Sequence, residues 1–173
     1  AVRENTPFSP HRIPLTSNTN RQRPLHEPDF MDEAVEVKVA RVHTDARLPT
    51  RGSAQAAGWD LYALEDTVVN YRTATLVRTG LHVAIPIGYE GQVRARSSLG
   101  KKGLIPPHAI GTIDADYRGE LFVMMTWIGE GNSYTIAKGE RIAQLLITPI
   151  PKSVFREVKI EQLGETDRGE GGF

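Results

Sequence analysis

The sequence predicts an all-β domain, a mostly antiparallel β-barrel or jelly roll with one short helical turn. From Val35 onward, short runs rich in β-branched and aromatic residues are separated by Gly, Pro, Asn and Asp. In the first run, valines alternate with Glu36 and Lys38, which is the period of two expected of a half-buried strand. We find no long amphipathic helical pattern. Many short strands with frequent turns are typical of a sandwich, jelly roll or barrel.

The remaining elements follow in chain order. A helical turn is predicted over 97–102, directly after a strand that ends near Arg96. Each predicted strand is a short β-branched or aromatic run between turn residues. These strands cover 67–69, 74–78, 81–85, 89–96, 121–127, 134–137, 141–148 and 154–160.

The two ends of the chain differ from this pattern. Residues 1–30 contain five prolines and no helical or strand periodicity, which predicts a disordered leader. The arginines of this leader are typical of an organelle transit peptide, whereas its acidic residues argue against one, so organelle import stays an alternative. Residues 31–163 are predicted to form the barrel domain. Residues 164–173 contain four glycines and are predicted to form a flexible tail.

Composition narrows the function classes. A chain of 173 residues fits one domain, and its 21 basic and 21 acidic residues give a formal net charge of zero. No overall positive field therefore attracts nucleic acid or an anionic membrane. The absence of cysteine excludes disulfides, thiolate metal sites and cysteine nucleophiles. No apolar run approaches the roughly 18 residues that span a bilayer, and no secretory signal is evident. We expect an intracellular protein, cytoplasmic or nuclear, that binds neither nucleic acid nor membrane.

Two segments carry candidate chemistry. The turn at 111–120, Gly-Thr-Ile-Asp-Ala-Asp-Tyr-Arg-Gly-Glu, combines two carboxylates, an aromatic ring and a guanidinium, although a charged hairpin tip has the same composition. Arg96-Ser97-Ser98 opens the helical turn, where backbone N–H groups and hydroxyls suit a phosphate. The alternative for this second segment is a serine N-cap. The usual P-loop is absent, because Gly100-Lys101-Lys102-Gly103 lacks its spacing and its hydroxyl.

Five segments stand in a definite order: 57–62 (Ala-Gly-Trp-Asp-Leu-Tyr), 96–100 (Arg-Ser-Ser-Leu-Gly), 111–120, 139–145 (Gly-Glu-Arg-Ile-Ala-Gln-Leu) and 168–173 (Arg-Gly-Glu-Gly-Gly-Phe). Together they resemble the ordered motifs of the trimeric deoxyuridine triphosphatase (dUTPase) family, from about Val35 to the last residue. The resemblance implies a β-barrel of the dUTPase type and a homotrimer in which three chains contribute to each site. It also implies Mg²⁺-dependent hydrolysis of dUTP to dUMP and pyrophosphate, which keeps uracil out of DNA and supplies dUMP.

The resemblance also implies a role for each matching residue. Asp114 is the general base that activates water for attack on the α-phosphorus, whereas Asp116 is not assigned to catalysis. Tyr117 packs against the deoxyribose and leaves no room for a 2′-hydroxyl. Asp60 orients water in the magnesium shell, so its contact with the metal is indirect. The other substrate-binding residues are Arg96, Ser97, Ser98 and Gln144 at the phosphates, His108, Gly111, Thr112 and Ile113 near the base, Arg168 at the γ-phosphate, and Phe173 stacked on uracil.

The sequence departs from the family pattern at three places. Ser98 stands where glycine is more common, and His108 stands where many members have asparagine. Because the sequence stops at Phe173, before a Gly-Ser-Thr-Gly-like stretch, incomplete closure over the phosphates is expected.

Two other functions stay open. A dCTP deaminase of the same fold is one alternative, but its catalytic glutamate has no counterpart in 121–127. A non-catalytic regulatory protein of this fold is the other.

Overall fold

The computed structural model of the chain describes residues 34–172. The predicted leader over 1–30 and Phe173 therefore lie outside the described residues. Most of the described ordered structure is β-strand, with one single-turn α-helix and one 3₁₀-helix (Ile160–Leu163). The elements are β1 (Lys38–Arg41), β2 (Thr50–Arg51), β3 (Trp59–Tyr62), β4 (Thr67–Asn70), β5 (Thr75–Ala84), β6 (Tyr89–Ala95), α1 (Ser97–Gly100), β7 (Leu104–Ile105), β8 (Ile110–Ile113), β9 (Glu120–Trp127), β10 (Ser133–Ile136) and β11 (Arg141–Pro149).

The strands form three sheets, and every strand pair within them is antiparallel. The five-stranded sheet has the order β2-β3-β11-β6-β8, the four-stranded sheet has the order β1-β5-β9-β7, and β10 pairs with β4. The neighbours in each sheet are mostly distant in sequence, as in a barrel or jelly roll rather than a meander. The predicted all-β class is confirmed.

A single large core joins the three sheets. Leu61 and Leu145 enter it from the five-stranded sheet, Val77 and Leu121 from the four-stranded sheet, and Ile136 from β10. Each of these side chains is almost completely shielded from water. Burial of one such side chain contributes about 1.5–3 kcal/mol, so the core holds the sheet that carries the polar motifs.

Two of the predicted strands, 74–78 and 81–85, are one continuous strand, β5. The Thr79-Gly80 step does not turn the chain but interrupts the register with β9, between Arg78 and His82. Here the hydroxyl of Thr79 donates to the carbonyl of Leu121 at 2.5 Å, and the N–H of Gly80 donates to the carboxylate of Glu120 at 2.9 Å. These two bonds replace the missing ladder contacts, which lets the strand continue through an irregularity.

The predicted strand at 154–160 is wrong. Val154 and Phe155 are 93% and 99% exposed, and the segment pairs with no strand of the described chain before the 3₁₀-helix begins. A strand needs a partner for its backbone groups, and this segment has none in the described part of the chain. The predicted helical turn is confirmed as α1. Four short strands were missed because each has only two to four residues: β2, β3, β7 and β8.

Candidate active site

The central strand β11 aligns the first and fourth of the five motifs in one row of the five-stranded sheet. Gln144 lies opposite Asp60 of β3 on one side and opposite Arg94 of β6 on the other. Its side-chain amide donates to the backbone carbonyl of Ala95 at 3.0 Å. Directly opposed residues share a face of the sheet, so Gln144 and Asp60 belong to one polar surface.

Asp60 is the centre of this polar surface. Its Oδ1 lies 3.3 Å from Nε of Arg96, and its Oδ2 lies 3.2 Å from Nη1 of Arg141. Nη1 of Arg96 also donates to the backbone carbonyl of Arg141 at 3.0 Å. Because the side chains of Asp60 and Arg96 are only 14% and 22% exposed, the ion pair between them is screened less than surface ion pairs, whereas the side chain of Arg141 is 50% exposed. Two guanidinium groups and one carboxylate leave an excess positive charge, which suits an anion.

Arg141 is the site residue that sequence analysis missed. In a regular strand, residues three apart point to opposite faces, so Arg141 and Gln144 should not share one. The register of β11 with β3 shifts between Arg141 and Ala143, as in a β-bulge, and Ile142 and Ala143 are both buried in succession. Two consecutive buried apolar residues were the one signal in the sequence, because they interrupt the alternation of a half-exposed strand.

Ser97 and Ser98 follow Arg96 as the first residues of α1, and both are exposed. The N-cap residue is Arg96, which has an extended backbone and no capping side-chain bond, so the serine N-cap interpretation is wrong for this helix. The two hydroxyls are therefore not used for capping. They follow Arg96 directly in the chain.

The turn after β8 carries Asp114, Asp116 and Tyr117, all exposed. The N–H of Tyr117 donates to the carbonyl of Asp114 at 3.1 Å, which closes a tight turn. The hydroxyl of Tyr117 donates to the carbonyl of Glu120 at 2.8 Å. The ring lies against Gly119, because a Cβ atom there would be 2.6 Å from Cζ of Tyr117. Both carboxylates are thus on a short turn that also fixes an aromatic ring.

Strand β8 and the segment that leads into it contain the predicted base-contacting residues. Gly111, Thr112 and Ile113 pair with Val93, Gln92 and Gly91 of β6. A Cβ atom on Gly111 would lie 3.0 Å from Nε2 of His108, so the exposed imidazole sits beside this glycine.

His108 precedes a strained backbone position. Ala109 has a φ of 64°, a left-handed conformation that is uncommon for a residue with a side chain. The N–H of Ile110 donates to the carbonyl of His108 at 2.8 Å, which forms a three-residue turn around Ala109. Residues held in such conformations cluster at ligand-binding sites, since the strain is tolerated where it orients a group.

The structure does not bring all predicted site residues together within one chain. Ile113 pairs with Gly91; Asp114 lies one residue beyond that pair, and Arg96 lies five residues from it in the opposite direction, just past the end of β6. At about 3.3 Å per residue, Asp114 and Arg96 are roughly 20 Å apart along the sheet. Arg168 is exposed, and its Nε donates to the carbonyl of Gly171 within the tail at 2.7 Å. Phe173 lies outside the described residues.

The donor set decides how a divalent cation would fit. No group of three or more His, Asp or Glu side chains that could bind a metal occurs within residues 34–172. Both oxygens of Asp60 are already paired with guanidinium groups. Mg²⁺ commonly keeps several waters and bridges substrate phosphates, so Asp60 fits an indirect contact through water and does not fit direct coordination.

Within residues 34–172, no helix is long and apolar enough to cross a bilayer.

An all-β fold that presents guanidinium and amide donors on one surface, with exposed hydroxyls beside it and a carboxylate turn beyond it, is suited to bind an anion such as a phosphate group. The dUTPase family model matches residues 44–173. The chain therefore belongs to the dUTPase family, and it is a hydrolase of that family. Relatives and solved structures agree with this assignment.

The deoxyuridine 5′-triphosphate nucleotidohydrolase of Syntrophotalea carbinolica is 47% identical over 144 residues, which cover 82% of this chain and 96% of that protein. The Wolbachia pipientis enzyme of the same name is 44% identical and covers 80% of this chain and 92% of its own. The dUTPase of Staphylococcus bacteriophage 80alpha, solved with dUpNHpp, superposes with a TM-score of 0.69 at 30% identity, over 80% of this chain and 96% of that one. The dUTPase of phage phi11 of S. aureus, described with a structural Mg(II) ion, has a TM-score of 0.65 at 25% identity, over 73% and 99%.

Proposed function

We propose that the chain hydrolyses dUTP to dUMP and pyrophosphate as a Mg²⁺-dependent homotrimer, and so keeps uracil out of DNA and supplies dUMP. The observation that carries the proposal is the cluster around Asp60. Asp60, Arg96 and the pair Arg141 and Gln144 come from three separate motifs and meet on one surface of a dUTPase-family fold. Positioned donors and an excess positive charge are what phosphoryl transfer requires, because its transition state is mostly stabilised by electrostatics.

Arg96 is the phosphate-binding group in this proposal. Its Nε and Nη1 are used by Asp60 and by the Arg141 carbonyl, which fixes the plane of the guanidinium. Nη2 has no hydrogen-bond partner in the described part of the chain and is available to a phosphate oxygen. The hydroxyls of Ser97 and Ser98 and the amide of Gln144 supply further donors. Bound with the triphosphate, Mg²⁺ offsets phosphate charge.

Asp114 is the general base in this proposal. Its exposed carboxylate accepts a proton from water, and the resulting hydroxide oxygen forms a bond to the α-phosphorus. The bond from that phosphorus to the bridging oxygen breaks, and pyrophosphate leaves with the electron pair. Tyr117 lies three residues after Asp114, and its ring is held by Gly119 and the Glu120 carbonyl, which supports its role in rejecting a 2′-hydroxyl. His108, Gly111, Thr112 and Ile113 would face the base.

The distance between the two halves of the site supports an assembly of several chains. Asp114 and Arg96 are roughly 20 Å apart in one chain by strand rise, too far for one α-phosphate to contact both. The exposed apolar side chains of Val154, Phe155, Ile160 and Leu163 follow β11 and are suited to cover by another copy. A closed homotrimer in which one copy supplies Asp114 and another supplies Arg96 satisfies both observations.

The tail completes the proposal. Arg168 would exchange its bond to the Gly171 carbonyl for the γ-phosphate, and Phe173 would stack on uracil. A segment of this kind needs only weak internal contacts in the open state, because the ligand supplies the contacts that close it. Protection of the tail from protease by dUpNHpp with Mg²⁺, but not by dUMP, is the expected result.

The activity is tested by following pyrophosphate release from dUTP, with UTP and dCTP as comparators. We expect Mg²⁺-dependent release from dUTP, little from UTP, and no ammonia from dCTP. Ammonia from dCTP would instead indicate the deaminase of the same fold. Tight binding of dUpNHpp without any turnover of dUTP would indicate the non-catalytic regulatory protein.

The shared site is tested by mixing two inactive variants, Asp114→Asn and Arg96→Ala. After joint refolding, some sites receive an intact Asp114 from one chain and an intact Arg96 from another. Random assortment in a closed oligomer gives about a quarter of the wild-type activity, whereas a site made within one chain gives none. The separately refolded variants serve as the control.

A further inference from the structure

The β-bulge in β11 places a second guanidinium on the phosphate-binding surface. Arg141 pairs with Tyr62 and Ala143 pairs with Leu61, so Ile142 is the extra residue of the bulge. In a regular strand without the bulge, Arg141 would lie three residues before Gln144 and therefore on the opposite face. With the bulge, the side chain of Arg141 lies 3.2 Å from Asp60, the residue that Gln144 faces across the ladder. Bulges are common beside active sites, where they redirect one side chain.

We propose that Arg141 is a positioning residue of the phosphate site and acts through Asp60 on the guanidinium of Arg96. The inference rests on the proposed function and concerns the same site. The side chain of Arg141 holds Oδ2 of Asp60, which leaves only Oδ1 for Nε of Arg96. The backbone carbonyl of Arg141 holds Nη1 of Arg96. These two contacts hold two of the three guanidinium nitrogens of Arg96. The third nitrogen, Nη2, takes part in neither contact.

The charge balance of the cluster depends on Arg141. With Arg141, two guanidinium groups oppose one carboxylate, and the cluster has one positive charge in excess. Without the Arg141 side chain, Asp60 and Arg96 cancel. Oδ2 of Asp60 would then lack its partner, in a side chain that is only 14% exposed. The carboxylate would rotate so that both of its oxygens contact the guanidinium of Arg96. Arg96 would be neutralised by its own carboxylate and would bind phosphate more weakly.

The effect should increase with the number of phosphates on the ligand, and this dependence separates positioning from a general loss of structure. The test compares Arg141→Met, which keeps the aliphatic stem, with Arg141→Lys, which keeps the charge. The matched control is Lys138→Met. Lys138 lies three residues earlier, is 55% exposed, and pairs with Asp45 rather than with Asp60. Dissociation constants for dUMP, dUDP and dUpNHpp are measured by calorimetry, with kcat and KM for dUTP and the melting temperature of each variant.

For Arg141→Met, we expect dUpNHpp to bind roughly 10-fold more weakly and dUMP less than about 2-fold more weakly, as fits the loss of one charge-assisted contact in a partly exposed site. Arg141→Lys should recover a large part of the dUpNHpp affinity, and Lys138→Met should match wild type for every ligand. In a protein that already carries Asp60→Asn, adding Arg141→Met should weaken dUpNHpp binding little further, because the two residues act as a unit.

Equal weakening of all three nucleotides by Arg141→Met, or no weakening at all, would overturn the inference. If Arg141→Met does not fold, the Arg141→Lys and Arg141→Gln pair decides in the same way, because both keep a hydrogen-bond donor and differ in charge. Failure of the proposed function is a separate result: wild-type protein would then release no pyrophosphate from dUTP. The nucleotide series on Arg141 is independent of that outcome wherever wild type binds dUpNHpp.

Discussion

Gln144 occupies the space that the missing side chain of Gly58 leaves open. A Cβ atom on Gly58 would lie 2.5 Å from Oε1 and 3.0 Å from Cβ of Gln144. Real Cβ atoms do not approach other atoms so closely, and the obstruction includes the root of the glutamine side chain as well as its end. The glycine of the first motif and the glutamine of the fourth are therefore one packing unit. This contact explains why Ala-Gly-Trp-Asp needs glycine immediately before Trp59.

Replacing Gly58 with alanine should push Gln144 away and break its 3.0 Å bond to the carbonyl of Ala95. Overpacking of this kind costs about 1–3 kcal/mol, and the displaced amide should also raise KM for dUTP. Urea unfolding and steady-state kinetics measure the two effects. Gly52→Ala is the control, because nothing lies within 4 Å of a Cβ atom there. Equal results for the two alanine variants would show that Gln144 does not depend on Gly58.

Replacement of Asp114 with asparagine keeps the size of the side chain but removes the proton acceptor. Turnover of dUTP should fall by roughly 10²–10⁴-fold while dUpNHpp still binds, as expected for loss of a general base. Asp116→Asn is the matched control, since it changes a second exposed carboxylate on the same turn and should have a much smaller effect. If only the Asp116 variant loses turnover, the assignment of the base to Asp114 is wrong.

Sugar discrimination should depend on the Gly119 backbone that supports the Tyr117 ring. Gly119→Ala introduces a Cβ atom 2.6 Å from Cζ of Tyr117 and so must move the ring. We expect the ratio of kcat/KM for dUTP over UTP to fall in Gly119→Ala and in Tyr117→Ala. Tyr117→Phe, which loses only the bond to the Glu120 carbonyl, should retain most of the ratio. An unchanged ratio in both alanine variants would locate the discrimination elsewhere.

The fold class could be predicted from the sequence because runs of β-branched residues between turn residues are a local signal. The motif residues Asp60, Arg96 and Gln144 could be predicted because their order in the chain is informative, and the structure brings these three together. Arg141 could not, since its side chain reaches the site only through a bulge, which depends on the pairing of β11 with β3. Local sequence does not contain that pairing.

The errors in strand assignment have the same origin. Thr79-Gly80 has the composition of a turn, but the buried contact of Thr79 with Leu121 on β9 keeps the strand continuous. The segment 154–160 has the composition of a strand, but it has no partner within the described chain. In both cases a contact distant in sequence, or its absence, decides the structure. The separation of Asp114 from Arg96 is likewise a matter of register that no motif shows.

The ion pair between Glu120 and Arg78 links the register break in β5 to the turn that carries Tyr117. Nη2 of Arg78 donates to Oε2 of Glu120 at 3.0 Å, and the N–H of Gly80 donates to Oε1 at 2.9 Å. Burial by itself raises the pKa of Glu120, but the hydrogen bonds from Arg78 and Gly80, with the charges of Arg78 and His82, together hold that pKa below its ordinary value of 4.5. Glu120 is therefore charged throughout the neutral range and stabilises the folded state.

The Glu120 carboxylate should therefore make stability dependent on pH only in acid. A folded-state pKa below the unfolded value gives stabilisation that is complete above the unfolded pKa and is lost as pH falls through the folded pKa. Glu120→Gln should reduce the free energy of unfolding by about 1–3 kcal/mol at pH 7, because the Arg78 and Gly80 donors lose a charged acceptor in a side chain only 12% exposed. The difference between wild type and variant should shrink as pH falls below 4.5, the ordinary pKa of this group. Asp45→Asn, at a pair with both side chains about half exposed, is the control and should change stability much less. Urea unfolding of the three proteins at pH 7, 4.5 and 3.5 measures the free energy of unfolding. If the difference between wild type and Glu120→Gln stays constant down to pH 3.5, the loss of stability comes from packing rather than from the charge of Glu120.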